Sequence, residues 1–222
     1  MSETLQVPGL PPGLTPARRT QAERSDESGR RLLDATAKVV AEGGVSAATF
    51  EAIGRSAGYS RGLATQKFGS KDGLIEALIA DLQERQAQML VLHHIDDRPG
   101  LEAVLAYVDL YLSHLREEQA TRAYFMLLAG AVADASPLRA AFARTHEAVK
   151  ARLAELVMRG QAEGGIRREI DPQSAALMVG GLLLGLSVQW LVDPDIDLDA
   201  IRRTSLDTLR LAFAPGPATE HA

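Results

Sequence analysis

The sequence predicts an all-α protein of about nine helices. From residue 29 onward, apolar side chains recur three and four positions apart, the spacing of one helix face, and no segment shows the alternation of a half-buried strand. Between these periodic segments stand helix punctuation marks: glycine pairs, Ser-Pro and Asp-Pro steps. Composition agrees, since 46 % of the 222 residues are hydrophobic, enough for a buried core. There is no cysteine, which removes disulfides and thiolate metal sites and fits a reducing cytosol. The first residues lack the basic-then-apolar order of a signal peptide.

Residues 1–27 are rich in Pro, Gly, Ser and Thr without a hydrophobic period, and are expected to form a disordered arm. A first helix follows, with Leu32, Leu33, Thr36, Val39 and Val40 on one face, stopped at Gly43-Gly44. Thr49 is placed to cap a second helix, with Glu51 in its first turn and Phe50, Ile53 and Ala57 inward. Gly58-Tyr59 makes a turn, Ser60 caps a short third helix reaching Phe68, and Ser70 caps a fourth. The fourth carries a stripe of Leu74, Ile75, Leu78, Ile79, Leu82 and Met89. A loop at residues 96–100 precedes helices near 101–116 and 121–133. Ser136-Pro137 opens a long helix to about Glu163, and Asp171-Pro172 opens another to about Val192. The latter is uncharged from residue 175 to 192, the length of a short membrane span. Gly180, Gly181, Gly185, Ser187 and Gln189 suit it poorly to lipid, so it is read as a buried helix, with no membrane partner. Asp193-Pro194 breaks it, and Asp197 caps a last helix to about Ala214.

Charge is unevenly spread. The net charge is −5, yet residues 17–71 hold ten basic and six acidic residues, while the remainder from Asp72 is acidic. A cationic front on an anionic body suits contact with a polyanion at one end. That front contains a helix-turn-helix pattern. Gly54 is small where two helices nearly touch, Gly58 tolerates the turn, and Ile53, Ala57, Tyr59, Ala64 and Phe68 can fill the wedge. The outer side of the third helix offers Ser60, Arg61, Thr65, Gln66 and Lys67, donors suited to phosphate oxygens and base edges.

These segments resemble the TetR (tetracycline repressor) family. Leu32-Leu33-Asp34-Ala35-Thr36, Glu42-Gly43-Gly44 and Thr49-Phe50-Glu51-Ala52-Ile53 resemble its first two helices. Ala57-Gly58-Tyr59-Ser60-Arg61-Gly62 resembles its turn, and Phe68-Gly69-Ser70-Lys71-Asp72-Gly73-Leu74 its lead into helix four. Thr65 and Gln66 depart from a frequent tyrosine and histidine, and Gly54 from a common alanine. The resemblance implies a sequence-specific DNA-binding transcriptional regulator, a repressor released by a small-molecule effector, or alternatively an activator or a helical interaction protein of the same fold. The expected domains are a helix-turn-helix head over residues 28–75 and an effector-binding, dimerising body over residues 76–222. The expected DNA-binding residues are Thr49, Ser60, Arg61, Gly62, Leu63, Thr65, Gln66, Lys67 and Lys71. Leu63 is suited to a thymine methyl, and Lys71 to a phosphate at the start of helix four. The partner is double-stranded DNA with a near-palindromic operator, bound by a homodimer in the cytoplasm.

In the body, Gly180, Gly181 and Gly185, with Leu184 and Val188, are the expected dimer contact, because mid-helix glycines allow a second backbone to approach. Packing within one subunit is the alternative. Met89, His93, Tyr107, Tyr111, His114, Tyr124, Phe125, Phe142 and His146 are the candidate effector-pocket residues, aromatic and apolar bodies with a few polar tips. His93 and His94 are adjacent and cannot share a helix face, which argues against a metal site. No paired carboxylates at metal spacing, Glu-x-x-His repeat or nucleophile with its base stands out, so neither an enzyme nor a cofactor is expected.

Overall fold

The structure is a computed structural model that describes residues 20–115, 119–134 and 136–216. Among the described residues it has nine helices and no strand: α1 (Gln21–Ala47), α2 (Phe50–Ala57), α3 (Arg61–Phe68), α4 (Lys71–Leu92), α5 (Gly100–His114), α6 (Gln119–Ala133), α7 (Arg139–Ala162), α8 (Pro172–Val192) and α9 (Leu198–Phe213).

Local chemistry sets most helix starts. The hydroxyls of Thr49, Ser60 and Ser70 accept from the backbone N–H three residues on, as does the Asp171 carboxylate, while Asp197 caps α9. Gly44, at φ 79° and ψ 174°, breaks the helical run near the end of α1 where the glycine pair was expected to stop it. The start of α1 differs from expectation. Residues 20–27 are not a disordered arm, because Thr20 and Glu23 form a reciprocal capping box that begins the helix eight residues before the hydrophobic period does. Residues 1–19 of the expected arm lie outside the described residues.

Two large buried clusters organise the chain. The first joins Leu32, Val40, Ile53, Ala64, Leu74 and Leu78 of the first four helices to Ala123, Leu127 and Phe142 of α6 and α7. The second joins α5, the later part of α7, α8 and α9 through Val104, Val108, Leu153, Val157, Val179 and Leu209. The expected domain boundary at residue 75 falls inside α4, a single helix. Leu74, Ile75, Leu78 and Ile79 of α4 are buried in the first cluster, and Leu90 packs against the second. A smaller cluster of Leu115, Phe125, Trp190 and Leu198 closes the far side.

Between α5 and α7 the backbones nearly touch. A Cβ placed on Gly100 would lie 2.6 Å from the Leu156 carbonyl oxygen, and closer still to the backbone of Gly160. α9 is fastened to α5 by Arg210, bidentate to Glu102 at 2.6 and 2.9 Å, and by Arg202 to Asp109 at 2.8 Å.

α8 is not the buried helix expected from its composition. By length and composition it could cross a membrane (mean hydropathy 1.9), yet only a third of that window is buried. Ala175, Ala176, Val179, Leu183, Ser187 and Trp190 face inward, while Leu177 is 66 % and Val192 78 % exposed, with Met178 and Val188 also exposed. A helix that is apolar all round has only one side covered by its own chain.

Gly100→Ala is expected to cost about 1–3 kcal/mol, because the obstructing atoms are backbone. Gly165→Ala, whose Cβ would rest at an ordinary 3.7 Å from the Leu101 Cβ, should be far milder. Thermal unfolding of the two variants checks the contrast.

Candidate nucleic-acid interface and ligand cavity

The helix-turn-helix is built around two glycines. Gly58 takes the left-handed conformation at φ 75°, which lets the chain reverse after α2. Gly54 lies under the turn: a Cβ there would be 2.9 Å from the Tyr59 carbonyl oxygen, and its own carbonyl accepts from Tyr59 N–H at 2.7 Å. An alanine at 54, frequent in the resembled family, would require this turn to shift by a few tenths of an ångström. Ala64 of α3 and Ile53 of α2 are fully buried in one cluster, so α3 packs on the rest of the head by one side.

The opposite side of α3 faces solvent. Arg61, Gly62, Thr65 and Gln66 are exposed, as are Thr49, Ser60 and Lys71 around them, while Leu63 is half-buried. The side chains of Arg61 and Gln66 have no hydrogen-bond or ion-pair partner among the described residues. Thr65 turns its hydroxyl back to the Arg61 carbonyl oxygen at 3.1 Å. Thr49 and Ser60 use their hydroxyl oxygens as caps. Lys67 is half-buried and is not a free donor in this state. Its ammonium donates to the Ser25 carbonyl and hydroxyl oxygens at 2.5 and 2.9 Å, fastening α3 to the first turns of α1. Lys71 likewise donates to the Val45 carbonyl oxygen at 2.8 Å, beside the Gly44 break.

A cavity of about 290 Å³ lies among α4, α5, α6, α7 and α8. Of the expected pocket residues, Met89, Tyr107, Tyr111 and His114 line it from α4 and α5, and Tyr124, Phe125 and His146 from α6 and α7. His93 and Phe142 do not. His93 is exposed at the C-terminal cap of α4, and Phe142 is 2 % exposed within the first core cluster, edge-on to Tyr124 at 5.2 Å. The sequence pattern did not single out Arg85, Gln86 or Lys150, which also line the cavity. Their polar tips read as a solvated helix face, and only the neighbouring helices turn that face inward.

The tyrosines are held by specific partners. Gln86 donates from Nε2 to the Tyr107 hydroxyl oxygen at 2.9 Å. Ser187 donates to the Leu183 carbonyl oxygen at 2.7 Å, so the Tyr111 hydroxyl is the donor in its 3.3 Å contact with Ser187. Burial pushes the phenols of Tyr107, Tyr111 and Tyr124 well above the ordinary tyrosine range, because the phenolate loses solvation.

Gly180, Gly181 and Leu184, expected at a dimer contact, also border the cavity. Beyond its own helix backbone, a Cβ on Gly180, Gly181 or Gly185 would meet no atom of the described residues within 4 Å. Tight packing inside one subunit therefore does not explain these glycines. No group of three or more His, Asp or Glu side chains placed to hold a metal ion occurs among the described residues.

Because the neutral phenol is the form that folding favours, the three buried tyrosines stabilise the fold below roughly pH 10, the unfolded value. That contribution is lost as pH rises toward their elevated folded values. An ultraviolet titration should show the three phenolates appearing together with unfolding rather than before it.

Comparison with known proteins places this geometry. Residues 32–78 match the bacterial regulatory proteins of the tetR family, and residues 100–214 match the BetI-type transcriptional repressor C-terminal region. The HTH-type transcriptional regulator BetI of Escherichia coli O17:K52:H18 is 37 % identical over 82 residues, 36 % of this chain and 42 % of the relative. BetI of Burkholderia ambifaria strain MC40-6 is 34 % identical over 80 residues, 34 % of this chain and 41 % of the relative. The matched stretch thus spans about two fifths of these curated relatives. A Rhodococcus sp. structure assigned to TetR-family transcriptional regulators superposes with a TM-score of 0.75 at 25 % identity, covering 85 % of this chain and 100 % of that one. SmeT, repressor of the Stenotrophomonas maltophilia multidrug efflux pump SmeDEF, shares the fold with a TM-score of 0.69 at 24 % identity, covering 89 % and 97 %. These relatives are transcriptional regulators rather than enzymes. With residues 32–78 and 100–214 both matched, the chain belongs to the TetR family of bacterial regulatory proteins.

Proposed function

We propose that the chain is a dimeric, sequence-specific DNA-binding repressor, acting in the cytoplasm and released when a small molecule enters the cavity between α4 and α8. The observation that carries this is the outer face of α3. Arg61 and Gln66 stand exposed, with no partner among the described residues, on a short helix anchored through its own buried Ala64, which shares a cluster with Ile53 of α2. Such a face fits a major groove, where arginine reads guanine and glutamine reads adenine by bidentate bonding. Thr49 and Lys71 flank it at helix N-termini, positions that favour phosphate.

Dimerisation is supported by α8. Leu177, Gly181, Gly185, Val188 and Val192 form one exposed apolar stripe with small residues at its centre, and no other helix among the described residues approaches those glycines. A groove beside it runs between Met178 and Leu182 of α8 and Ile201, Ser205 and Leu209 of α9. A second copy pairing α8 and α9 across this face would bury the stripe and set two α3 helices about 34–36 Å apart, one turn of DNA. The effector role of the cavity rests on its position. It borders α4, which carries the head's buried residues at one end and reaches the body at the other.

Fluorescence anisotropy on the DNA flanking the chain's own gene tests the reading. Arg61→Ala and Gln66→Ala should each relax preference for the cognate site by about 1–3 kcal/mol. Lys71→Ala should weaken binding to any sequence and flatten the salt dependence by about one unit of slope. Unchanged binding in all three variants would refute the interface. Separately, Gly181→Leu meets no obstacle within one chain, so it should fold normally yet halve the mass in solution if the stripe is the dimer contact.

A further inference from the structure

Among the described residues the cavity is lined by four basic side chains, Arg85 of α4, His114 of α5, and His146 and Lys150 of α7, and by no carboxylate. This is unusual in a chain of net charge −5 with 29 acidic residues. The rest of the wall is apolar or aromatic, with a few amide and hydroxyl tips. A cationic guest would find aromatic rings there, but also two like charges, and the nearby carboxylates Asp34, Asp81 and Glu147 are already paired with those cations. An anionic guest would find an apolar bed and two cations for which it competes with those carboxylates.

Neither cation is irrevocably committed. Among the described residues Lys150 pairs with exposed Glu147 alone, three residues earlier on the same helix at 2.7 Å, a weak kind of surface pair. Arg85 reaches further. Its guanidinium bonds Asp34 of α1 at 2.6 Å and pairs with Asp81 of α4 at 2.7 Å. Asp34 belongs to the head, so Arg85 is the point where the cavity wall is ionically fastened to the DNA-reading unit. His146 does not substitute for these cations, because burial holds it below the usual imidazole range and favours its neutral form. His114 has its Nδ1 engaged, donating to the Leu110 carbonyl oxygen at 2.8 Å.

We propose that the effector is a small organic anion with an apolar body. Its acidic group is received by Arg85 and Lys150, and it displaces Asp34 from Arg85, loosening α1 from α4. This rests on the effector-cavity reading and adds to it a ligand class and a coupling contact. The exchange is thermodynamically reciprocal. An anion that competes with Asp34 must bind more tightly when Asp34 is absent, and it lowers DNA affinity to the extent that DNA requires the Arg85–Asp34 bond.

The test is calorimetry on the full chain with octanoate, 1-octanol and octyltrimethylammonium, which share a tail and differ in the head group. Octanoate is expected to bind at least about ten-fold more tightly than the cation. Arg85→Gln and Lys150→Gln should each collapse the ratio of octanoate to octanol affinity, and Arg85→Lys, which keeps the charge, should retain most of it. Asp34→Asn should tighten octanoate binding several-fold and leave octanol unchanged. Octanoate should also lower the wild-type affinity for cognate DNA. Octyltrimethylammonium binding as well as octanoate or better would overturn the anion assignment and leave the cavity's effector role standing. Failure of all three compounds to bind would overturn the effector role itself. Unaltered octanoate affinity in Asp34→Asn, or bound octanoate without loss of DNA affinity, would overturn the exchange at Arg85. Helical circular dichroism of each variant shows that the comparison is between folded proteins.

Discussion

The structure depends on α4 belonging to two packed regions at once. Its first half is buried among α1, α2, α3 and α6, and its second half forms a wall of the cavity and reaches the body cluster. A helix of 22 residues is a rod about 33 Å long with no hinge of its own. Whatever moves one end moves the other. The head therefore has no independent core: the cluster that supports α2 and α3 also contains Ala123, Leu127 and Phe142 from the body helices. A change of shape in the body reaches the reading face through packed side chains rather than through a flexible linker.

The second constraint is the mismatch between what α8 contains and what one chain can cover. Its inward residues pack on α7 and α5, but its opposite face is as apolar as its buried one. Contiguous apolar surface beyond a few hundred square ångströms marks an interaction site. Among the described residues no other helix approaches the glycines at its centre, and Leu211 of α9 is 83 % exposed. The proposed second copy would take this surface out of water.

How much of this was legible in the sequence depends on whether the cause was local. Caps at Thr49, Ser60, Ser70, Asp171 and Asp197 were readable because a side-chain oxygen and an N–H two or three residues later suffice. Gly58 and the Gly44 break were readable for the same reason. The start of α1 was not legible because the Thr20–Glu23 capping spacing stands in a Pro-, Ser- and Thr-rich stretch with no hydrophobic period behind it. The cavity was partly readable, since its aromatics are distinctive. Arg85 and Lys150 were not, because a charged residue on an amphipathic helix looks the same whether it meets water or a cavity. Phe142 and His93 erred in opposite directions, one drawn into the core and one left in solvent. The exposed side of α8 was misjudged because hydrophobicity alone does not say which chain supplies the cover.

The bond from Lys67 to Ser25 has a practical corollary. It holds the first turns of α1 against the reading helix, and Ser25 lies only five residues, about 7.5 Å of helix, beyond Thr20. The N-terminal end of α1 therefore lies beside the surface that would meet a duplex. α9, by contrast, ends at Phe213 in the body cluster, where its carbonyl accepts from Arg167 N–H. Purification handles and fluorescent labels belong at that end, where they leave the groove-facing side unobstructed.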